Sequence, residues 1–176
     1  MTDVTDDGLT LLAQAAVNGD DNALRDLVLA TQDSVRSLCA YLGSPAEAED
    51  LTQETYLRAL QALPRFRFDA PVRAWLFAIA RHVCADHVRR RVRRAPIERK
   101  VASPTETVLD LADIELGELF ETLDPEKRTA FVLTQVLGLS YDEAAAVCQC
   151  AIGTIRSRVA RARAQLAAAV RQADAS

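Results

Sequence analysis

A cluster of arginine and hydroxyl side chains in the last quarter of the sequence could bind nucleic acid. Four arginines fall within residues 156–163, which contain no acidic side chain. At helical spacing, the hydroxyl groups of Thr154 and Ser157 share an outward stripe with Arg158 and Arg161. Such groups hydrogen-bond to phosphates and guanine edges. The alternative is the solvated face of an ordinary amphipathic helix, and the lack of acids favours DNA contact.

A helix-turn-helix pattern would position these side chains. Ser140 and Glu143 have the spacing of a capping box, so a helix is predicted to begin there and to run to about Cys148. A break at residues 149–151 is followed by a second helix from about Ile152, whose apolar residues recur at helical spacing. Two helices with a short turn, the second carrying arginines outward, are typical of a motif that enters the major groove.

A second group of side chains suited to nucleic acid lies in the middle of the sequence. The stretch PRFRFDAPVRAW, residues 64–75, carries two phenylalanines and three arginines and leads into a helix predicted from about Val72 to Arg94. Trp75 lies on a partly polar stripe of this helix, which ends in the basic run RRRVRR at 89–94. Unpaired bases need aromatic faces for stacking and cations for their phosphates. A core tryptophan and a solvated helix end are the structural alternatives.

Charge is distributed in blocks along the chain. Residues 1–63 have a net charge of −8 and residues 64–100 a net charge of +8. Residues 101–150 return to −8, and residues 151–176 carry +4. Two basic blocks separated by acidic ones indicate two nucleic-acid contacts, with the other surfaces kept away from phosphate. The overall charge of −4 therefore does not argue against DNA binding.

Composition favours a helical protein of one domain or two small ones. The chain has 176 residues, about half of them apolar, with few aromatics. No apolar run is long enough to cross a bilayer and the first residues are acidic, so a cytoplasmic protein is expected. The four cysteines have no metal-site spacing, and His82 and His87 lack partner ligands. Neither a metal nor a cofactor is expected.

The first half of the chain predicts three further helices. Residues 9–42 indicate two helices, broken near Asn18–Asp21 by a turn signal. Residues 46–63 form an amphipathic helix, for which periodicity alone favours a solvated polar face. Its predicted inward stripe contains Tyr56, Leu60 and Leu63, with Leu51, Thr55 and Ala59 beside them.

Residues 95–112 are predicted to be a flexible linker between two domains. They contain two prolines, no sustained period and a change of charge sign. A second helical cluster follows. In it, Asp124 and Pro125 are typical of a helix start, and Gly138 would end that helix after about Leu137.

Taken together, these residues resemble the extracytoplasmic-function sigma factors, which are two-domain initiation subunits of bacterial RNA polymerase. Four segments carry the resemblance in the family's order: AEDLTQETYLRAL, FRFDAPVRAWLFAIARHVCADHVRRR, LDPEKRTAFVLTQVLGLSYDEAAAV and GTIRSRVARAR.

The resemblance implies an all-α fold of two small helical domains joined by a flexible linker. Residues 1–94 would be sigma domain 2, which binds core polymerase and melts the minus-ten element. Residues 95–112 would be the linker, and residues 113–176 would be sigma domain 4, which reads the minus-thirty-five element as duplex. The implied partners are promoter DNA, the clamp coiled coil and flap of core RNA polymerase, and an anti-sigma factor. No active site is implied, since RNA synthesis belongs to the polymerase.

The resemblance also implies a role for individual residues. Those expected to contact core polymerase are Asp50, Leu51, Gln53, Glu54 and Leu57. Those expected at the minus-ten element are Arg58, Phe66, Arg67, Asp69, Trp75, Phe77, Arg81, His82, Arg89 and Arg90. Those expected at the minus-thirty-five element are Thr154, Arg156, Ser157, Arg158, Arg161 and Arg163.

Three positions depart from the family's pattern. Gln149 stands where glycine is usual in the turn, and Ala151 stands where a capping serine is usual. His82 stands where asparagine is common, which bears on the base preferred in the minus-ten pocket.

Two other classes of protein are compatible with parts of this sequence. An autonomous helix-turn-helix regulator with an N-terminal sensor domain would explain the second half, but a sensor has no need of the aromatic and arginine side chains in residues 66–94. A hydrolase or nuclease would need an acidic pair beside a histidine, or a nucleophile motif, and the sequence has neither.

The linker prediction can be tested by limited proteolysis with trypsin. If residues 95–112 join two independent domains, trypsin should cut first near Arg94, Arg99 or Lys100 and leave two stable fragments. Mass spectrometry of the early products identifies the cut. First cleavage within residues 46–63 or 126–137 would contradict the predicted boundaries.

Overall fold

The computed structural model of the chain describes residues 5–98, 119–120 and 122–173. Every regular element in these ranges is helical, as predicted. The chain divides into two compact units, Met1–Ala102 and Ser103–Ser176. The all-α architecture of two helical units predicted from the sequence is therefore confirmed.

Four α-helices build the N-terminal unit. They are α1 (Asp6–Val17), α2 (Asp21–Leu42), α3 (Ala48–Ala62) and α4 (Val72–Glu98). Short 3-10 turns precede and follow α3, at Pro45–Glu47 and Leu63–Arg65. Helix α2 packs against α1, α3 and α4, while α3 and α1 also contact α4. Helix α4 is thus covered by all three of the others.

The break between α1 and α2 follows from local backbone chemistry. Gly19 has a φ of +93°, which glycine adopts without steric cost. The carboxylate of Asp20 then accepts hydrogen bonds from the backbone N–H groups of Asn22 and Ala23, at 2.9 and 3.1 Å. These bonds satisfy free donors of the first turn of α2. The predicted break near Asn18–Asp21 is confirmed.

The core of the N-terminal unit is aliphatic, with one phenylalanine and three threonines. Its largest fully buried side chains include Val35, Leu38, Val72, Leu76, Phe77 and Val83. The hydroxyl groups of Thr31, Thr52 and Thr55 each donate to the carbonyl four residues earlier, at 2.7 Å. Because these hydroxyl groups are hydrogen-bonded, the three threonines can be buried without an unpaired polar group.

The inward face of α3 is rotated relative to the predicted one. Leu51, Thr52, Thr55 and Ala59 are buried, whereas Leu60 is 41% exposed. The reason is that α3 is wedged between α2 and α4, so its buried side is set by two neighbours rather than by its own apolar stripe.

Helix α4 extends past the predicted domain boundary. It continues to Glu98, so the first four residues of the predicted linker are helical. The remainder of that linker, residues 99–112, lies outside the described residues.

The C-terminal unit contains α5 (Pro125–Phe131), α6 (Tyr141–Cys148) and α7 (Ile152–Ala173). Asp124 caps α5 by accepting from the backbone N–H of Glu126 at 3.0 Å, as the Asp-Pro signal predicts. The helix continues as a π-helical turn over Val132–Val136, and Gly138, with a φ of +72°, follows it. Helix α7 packs on α5 and α6. The fully buried side chains of this unit include Ala130, Val132, Leu133, Ala144, Ile155 and Ala162.

Gly43 provides a test of packing in the N-terminal unit. A Cβ atom at this position would overlap Cδ1 of Leu51 and lie 2.9 Å from the carbonyl oxygen of Cys39. Gly43→Ala should therefore lower the free energy of unfolding by about 1–3 kcal/mol, as expected for an overpacked site. The only tryptophan of the chain, Trp75, lies in this unit, so urea unfolding followed by its fluorescence reports the change.

The matched control is Gly153→Ala in α7, where an added Cβ meets no atom within 4 Å. This substitution should leave the Trp75 unfolding transition unchanged. A Gly43→Ala protein as stable as the parent would contradict the packing described here.

Candidate nucleic-acid interfaces

The turn between α6 and α7 has the geometry of a helix-turn-helix. Ser140 and Glu143 form the predicted capping box: the backbone N–H of Ser140 donates to the Glu143 carboxylate at 2.7 Å, and the backbone N–H of Glu143 donates to the serine oxygen at 3.2 Å. Helix α6 ends at Cys148 and α7 begins at Ile152, as predicted.

Gln149 occupies the position in this turn where a glycine fits best. Its φ and ψ are +53° and +47°, in the left-handed region. The backbone N–H of Gln149 donates to the carbonyl of Ala146, and that of Cys150 donates to Ala145. This pair of bonds is the Schellman pattern that ends many helices. The turn therefore keeps its shape without glycine, at a steric cost of about 1 kcal/mol.

Helix α7 presents its predicted DNA-contacting residues in two groups. Arg156, Ser157 and Arg161 are exposed, and neither arginine forms an ion pair with any residue the structure describes. Thr154 and Arg158 are half-buried. The first group is available to a ligand without breaking a contact within the protein.

Arg158 and Arg163 are already engaged with other helices. The guanidinium group of Arg158 forms an ion pair with Glu126 in the first turn of α5, and its Nη1 lies 3.6 Å from Sγ of Cys150. Arg163 donates a hydrogen bond to the side-chain oxygen of Gln135. Arg158 thus connects α7 to α5 and to the turn, a role that the acid-free spacing of the arginines did not indicate.

The loop between α3 and α4 carries an aromatic cluster, defined here as Phe66, Phe68 and Trp75. The rings of Phe66 and Trp75 are stacked, with centroids 4.6 Å apart and an interplanar angle of 21°. Phe68 packs on Phe66 at 4.8 Å. All three side chains are half-buried, and the predicted residues Arg67 and Asp69 are exposed beside them. Phe68 is not among the residues predicted for this site, although it lies in the stretch rich in Phe and Arg and packs on one of them.

The backbone of Phe68 is unusual. Its φ is +56°, a left-handed conformation that is a genuine outlier for a bulky residue. Backbone strain of this kind is found where a loop is held in a defined shape by its surroundings. The aromatic contacts with Phe66 are part of those surroundings.

Two predicted contact residues lie in the core instead. Phe77, predicted at the minus-ten element, is fully buried on the inner side of α4, and the guanidinium carbon of Arg73 lies 5.8 Å from its ring centroid. Leu51, predicted to contact polymerase, is also buried. Neighbouring helices cover α3 and α4 at these positions and remove both side chains from the surface. Their roles in DNA and polymerase contact stay predictions.

The remaining predicted residues of α4 are on the surface. Arg81 is half-buried, while His82, Arg89 and Arg90 are exposed. Nδ1 of His82 lies 2.7 Å from the carbonyl oxygen of Ala78, one turn earlier in the helix.

Arg58 is held between two carboxylates on different helices. Its Nε donates to Glu54 of α3 at 2.7 Å, and its Nη1 donates to Asp86 of α4 at 3.1 Å. The second oxygen of Asp86 accepts from Arg89 at 2.6 Å. The hydrogen bonds that Arg58 donates to Glu54 and then to Asp86 raise the pKa of Arg58, while those from Arg89 and then Arg58 hold the pKa of Asp86 below its usual range. Asp86 is a further residue that sequence reasoning did not select.

The outer face of α3 is partly apolar. Asp50, Gln53 and Leu57 are exposed, and Leu57 at 58% exposure lies one turn from the exposed Leu60. Glu54 is half-buried and paired with Arg58. Leu57 and Leu60 therefore place apolar surface beside polar side chains on this face of α3.

All four cysteines are free thiols in this structure. Cys39, Cys84 and Cys148 are buried, and Cys150 is half-buried. A hydrogen bond to the Cys39 thiol and burial raise the pKa of Cys84, and the same bond lowers the pKa of Cys39. In the described ranges, no three His, Cys, Asp or Glu side chains gather to hold a metal ion. No helix in those ranges is both long and apolar enough to span a membrane.

Comparison with known families identifies the class of protein. The family model for sigma-70 region 2 matches residues 27–94, and the model for sigma-70 region 4 matches residues 113–166. The first segment contains α3 and most of α4, whose solvent-facing sides together we call the α3–α4 surface, and the second contains the helix-turn-helix.

Individual relatives point to one group within that class. The chain is 47% identical over 167 residues to the ECF RNA polymerase sigma factor SigC of Mycobacterium tuberculosis, covering 90% of this chain and 89% of the relative. It is 39% identical over 155 residues to the ECF sigma factor EcfG of Rhodopseudomonas palustris, covering 84% of each. The chain belongs to the extracytoplasmic-function (ECF) group of the sigma-70 family. It is an alternative RNA polymerase sigma factor, so the autonomous regulator considered above is not favoured.

Solved structures agree with this assignment. CnrH, in complex with the cytosolic domain of CnrY, matches with a TM-score of 0.74 and 29% identity, covering 92% of this chain and 96% of CnrH. The sigma factor RpoE of Bartonella quintana, in complex with the anti-sigma factor NepR, matches with a TM-score of 0.70 and 31% identity, covering 81% of this chain and 93% of RpoE.

Proposed function

We propose that the two units divide promoter recognition between them. Residues 1–94 act as sigma domain 2, which binds core polymerase through α3 and opens the minus-ten element. Residues 113–176 act as sigma domain 4, which reads the minus-thirty-five element through α7, and residues 95–112 link the two. The protein acts in the cytoplasm and has no active site of its own, because RNA synthesis belongs to the polymerase.

The observation that carries the minus-ten assignment is the half-buried stack of Phe66 on Trp75. A ring pair held in place on one side and open on the other offers a face for an unpaired base. Further polar side chains follow in the sequence: the exposed Arg67 lies in the same loop, and the half-buried Arg81 and the exposed His82 lie on α4. Extruding a base costs about a few kcal/mol of unstacking, which stacking and hydrogen bonds in such a pocket offset.

For the minus-thirty-five element, the exposed and unpaired side chains of α7 are the best-suited contacts. Arg156, Ser157 and Arg161 meet this condition. Arginine pairs with guanine edges or with phosphate, and serine bonds to either. Thr154 and Arg163 extend the surface, while Arg158 supports it through its ion pair with Glu126.

For core polymerase, the outer face of α3 supplies a mixed apolar and acidic surface. Leu57 provides the apolar contact, and Asp50, Gln53 and Glu54 provide the polar ones. The clamp coiled coil is the partner expected for this face, and the flap is the partner expected for the C-terminal unit. An anti-sigma factor is proposed as a further partner, supported by the complexes of CnrH with CnrY and of RpoE with NepR.

The polymerase contact can be tested with a single substitution on α3. Leu57→Glu should weaken binding to core RNA polymerase about tenfold, because it places a charge in a desolvated interface. Fluorescence anisotropy of the labelled chain with core polymerase measures the affinity, and circular dichroism checks the fold. Leu29→Glu on α2 is the matched control, since Leu29 is 56% exposed but lies outside the proposed surface. Equal affinities for the two variants would remove α3 from the interface.

The division between the two DNA sites can be tested with a pre-melted promoter. The promoter is first selected from random-sequence DNA by transcription with the reconstituted holoenzyme. Phe66→Ala should spare the closed complex and impair melting, so a template mismatched across the minus-ten region should restore its transcription. Arg161→Ala should lose about 1–3 kcal/mol of binding on both templates, because its contact is to intact duplex.

Permanganate reactivity of melted thymines and transcript yield give the result. If the mismatched template restores Phe66→Ala and Arg161→Ala equally, the proposed division of roles is incorrect.

A further inference from the structure

Asp86 on α4 engages three of the arginines assigned to promoter DNA, two through its carboxylate and one through its backbone oxygen. Oδ2 of Asp86 accepts from Arg58 at 3.1 Å, and its Oδ1 accepts from Arg89 at 2.6 Å. The backbone oxygen of the same residue lies 3.3 Å from Nε of Arg90. We call Arg58, Arg89 and Arg90 the arginine cluster. They come from two helices, and Asp86 is the group that they share.

The cluster leaves many donors available. An arginine carries five N–H donors in a planar fork, so bonding one edge to a carboxylate leaves others for phosphate. The Arg89 side chain is 66% exposed and points these donors to solvent. Three cations with the carboxylates of Asp86 and Glu54 sum to a net charge of +1. Without an anion among them, the three guanidinium groups would repel one another and spread apart.

A surface that only has to attract a polyanion gains nothing from the negative charge of Asp86. Its neighbours keep its pKa below the usual range, so it is ionised at neutral pH. A negative charge beside phosphates costs binding free energy by simple electrostatics. Asp86 is favourable on this surface if orienting the arginines contributes more binding free energy than the repulsion between its charge and phosphate removes.

We propose that Asp86 is a positioning residue for promoter DNA, which holds the arginine cluster in an array that meets phosphates of the melted minus-ten strand. The proposal rests on the proposed function of the α3–α4 surface. Asp86 itself does not touch DNA. Long arginine side chains normally lose conformational entropy when they bind. Because Asp86 already holds them in place in the free protein, less entropy is lost on association with DNA.

The direction in which one substitution changes the DNA affinity distinguishes a positioning role of Asp86 from a purely electrostatic one. Asp86→Asn keeps the shape of the side chain and removes its charge. If Asp86 acts only as a charge, the variant should bind DNA up to about twofold more tightly, since a screened repulsion is lost. If Asp86 positions the cluster, the variant should bind about threefold more weakly, because exposed ion pairs of this kind contribute at that level.

The measurement uses holoenzyme assembled from the full chain and core polymerase. The probe is a fluorescent fork-junction DNA with a random-sequence single-stranded overhang, since phosphate contacts do not depend on sequence. Affinity is measured at several salt concentrations. Losing one aligned phosphate contact should lower the slope of log affinity against log salt by about 0.7, the value for single strands. Asp86→Glu keeps the charge and should recover part of both the affinity and the slope.

Two further variants complete the test. Asp26→Asn on α2 also removes one exposed negative charge, but Asp26 forms no ion pair with any residue the structure describes, so it reports the effect of charge alone. Arg89→Ala tests whether the cluster meets DNA. Weaker binding by both Asp86→Asn and Arg89→Ala, with Asp26→Asn neutral or tighter, supports the proposal.

The contrary outcomes separate the two claims. If Arg89→Ala weakens binding but Asp86→Asn tightens it with an unchanged salt slope, Asp86 is not a positioning residue and the proposed DNA surface remains. If Arg89→Ala leaves affinity and slope unchanged, the cluster does not meet DNA, and both the positioning role and the assignment of this surface are overturned.

Discussion

The burial of α4 beneath three other helices is the constraint that organises the N-terminal unit. Leu76, Phe77 and Val83 can be removed from water only if α1, α2 and α3 all pack against the same helix. Once that side of α4 is fixed, its opposite side must remain on the surface. Trp75 of the aromatic cluster, at the start of α4, and Arg89 and Arg90 of the arginine cluster, near its end, are therefore carried by the same helix. A shift in the packing of α4 would move both.

Local signals in the sequence were sufficient for much of the fold. The capping box at Ser140 and Glu143 and the Asp-Pro start of α5 are encoded within a single turn, so they can be read without knowledge of the tertiary structure. Contacts between distant residues could not be read in this way. The spacing of Phe77 and Leu51 in the sequence is compatible with either a surface or a core position. Both are buried because of where the neighbouring helices pack.

The ion pairs of the two units illustrate the same limit. Arg58 meets Asp86 across 28 residues, and Arg158 meets Glu126 across 32 residues. In each unit, an arginine from one helix is fixed by an acid from another. Nothing in the spacing of the arginines identifies the acid that each will meet. The basic blocks predicted which surfaces carry charge, whereas the fold decides which of those charges stay free for a ligand and which hold helices together.

Because most of its cysteines are buried, the reactivity of the native thiols reports local opening of the chain. Cys39 and Cys84 lie inside the N-terminal unit and Cys148 lies inside the C-terminal one, while Cys150 is partly accessible in the turn. A thiol-reactive reagent meets Cys150 in the native state and reaches the others only when a unit transiently unfolds. The alkylation rate of Cys39 and Cys84 thus measures how often the N-terminal unit opens, and the alkylation rate of Cys148 measures how often the C-terminal unit opens. The four native side chains give access to the separate opening free energies of both units without any added label.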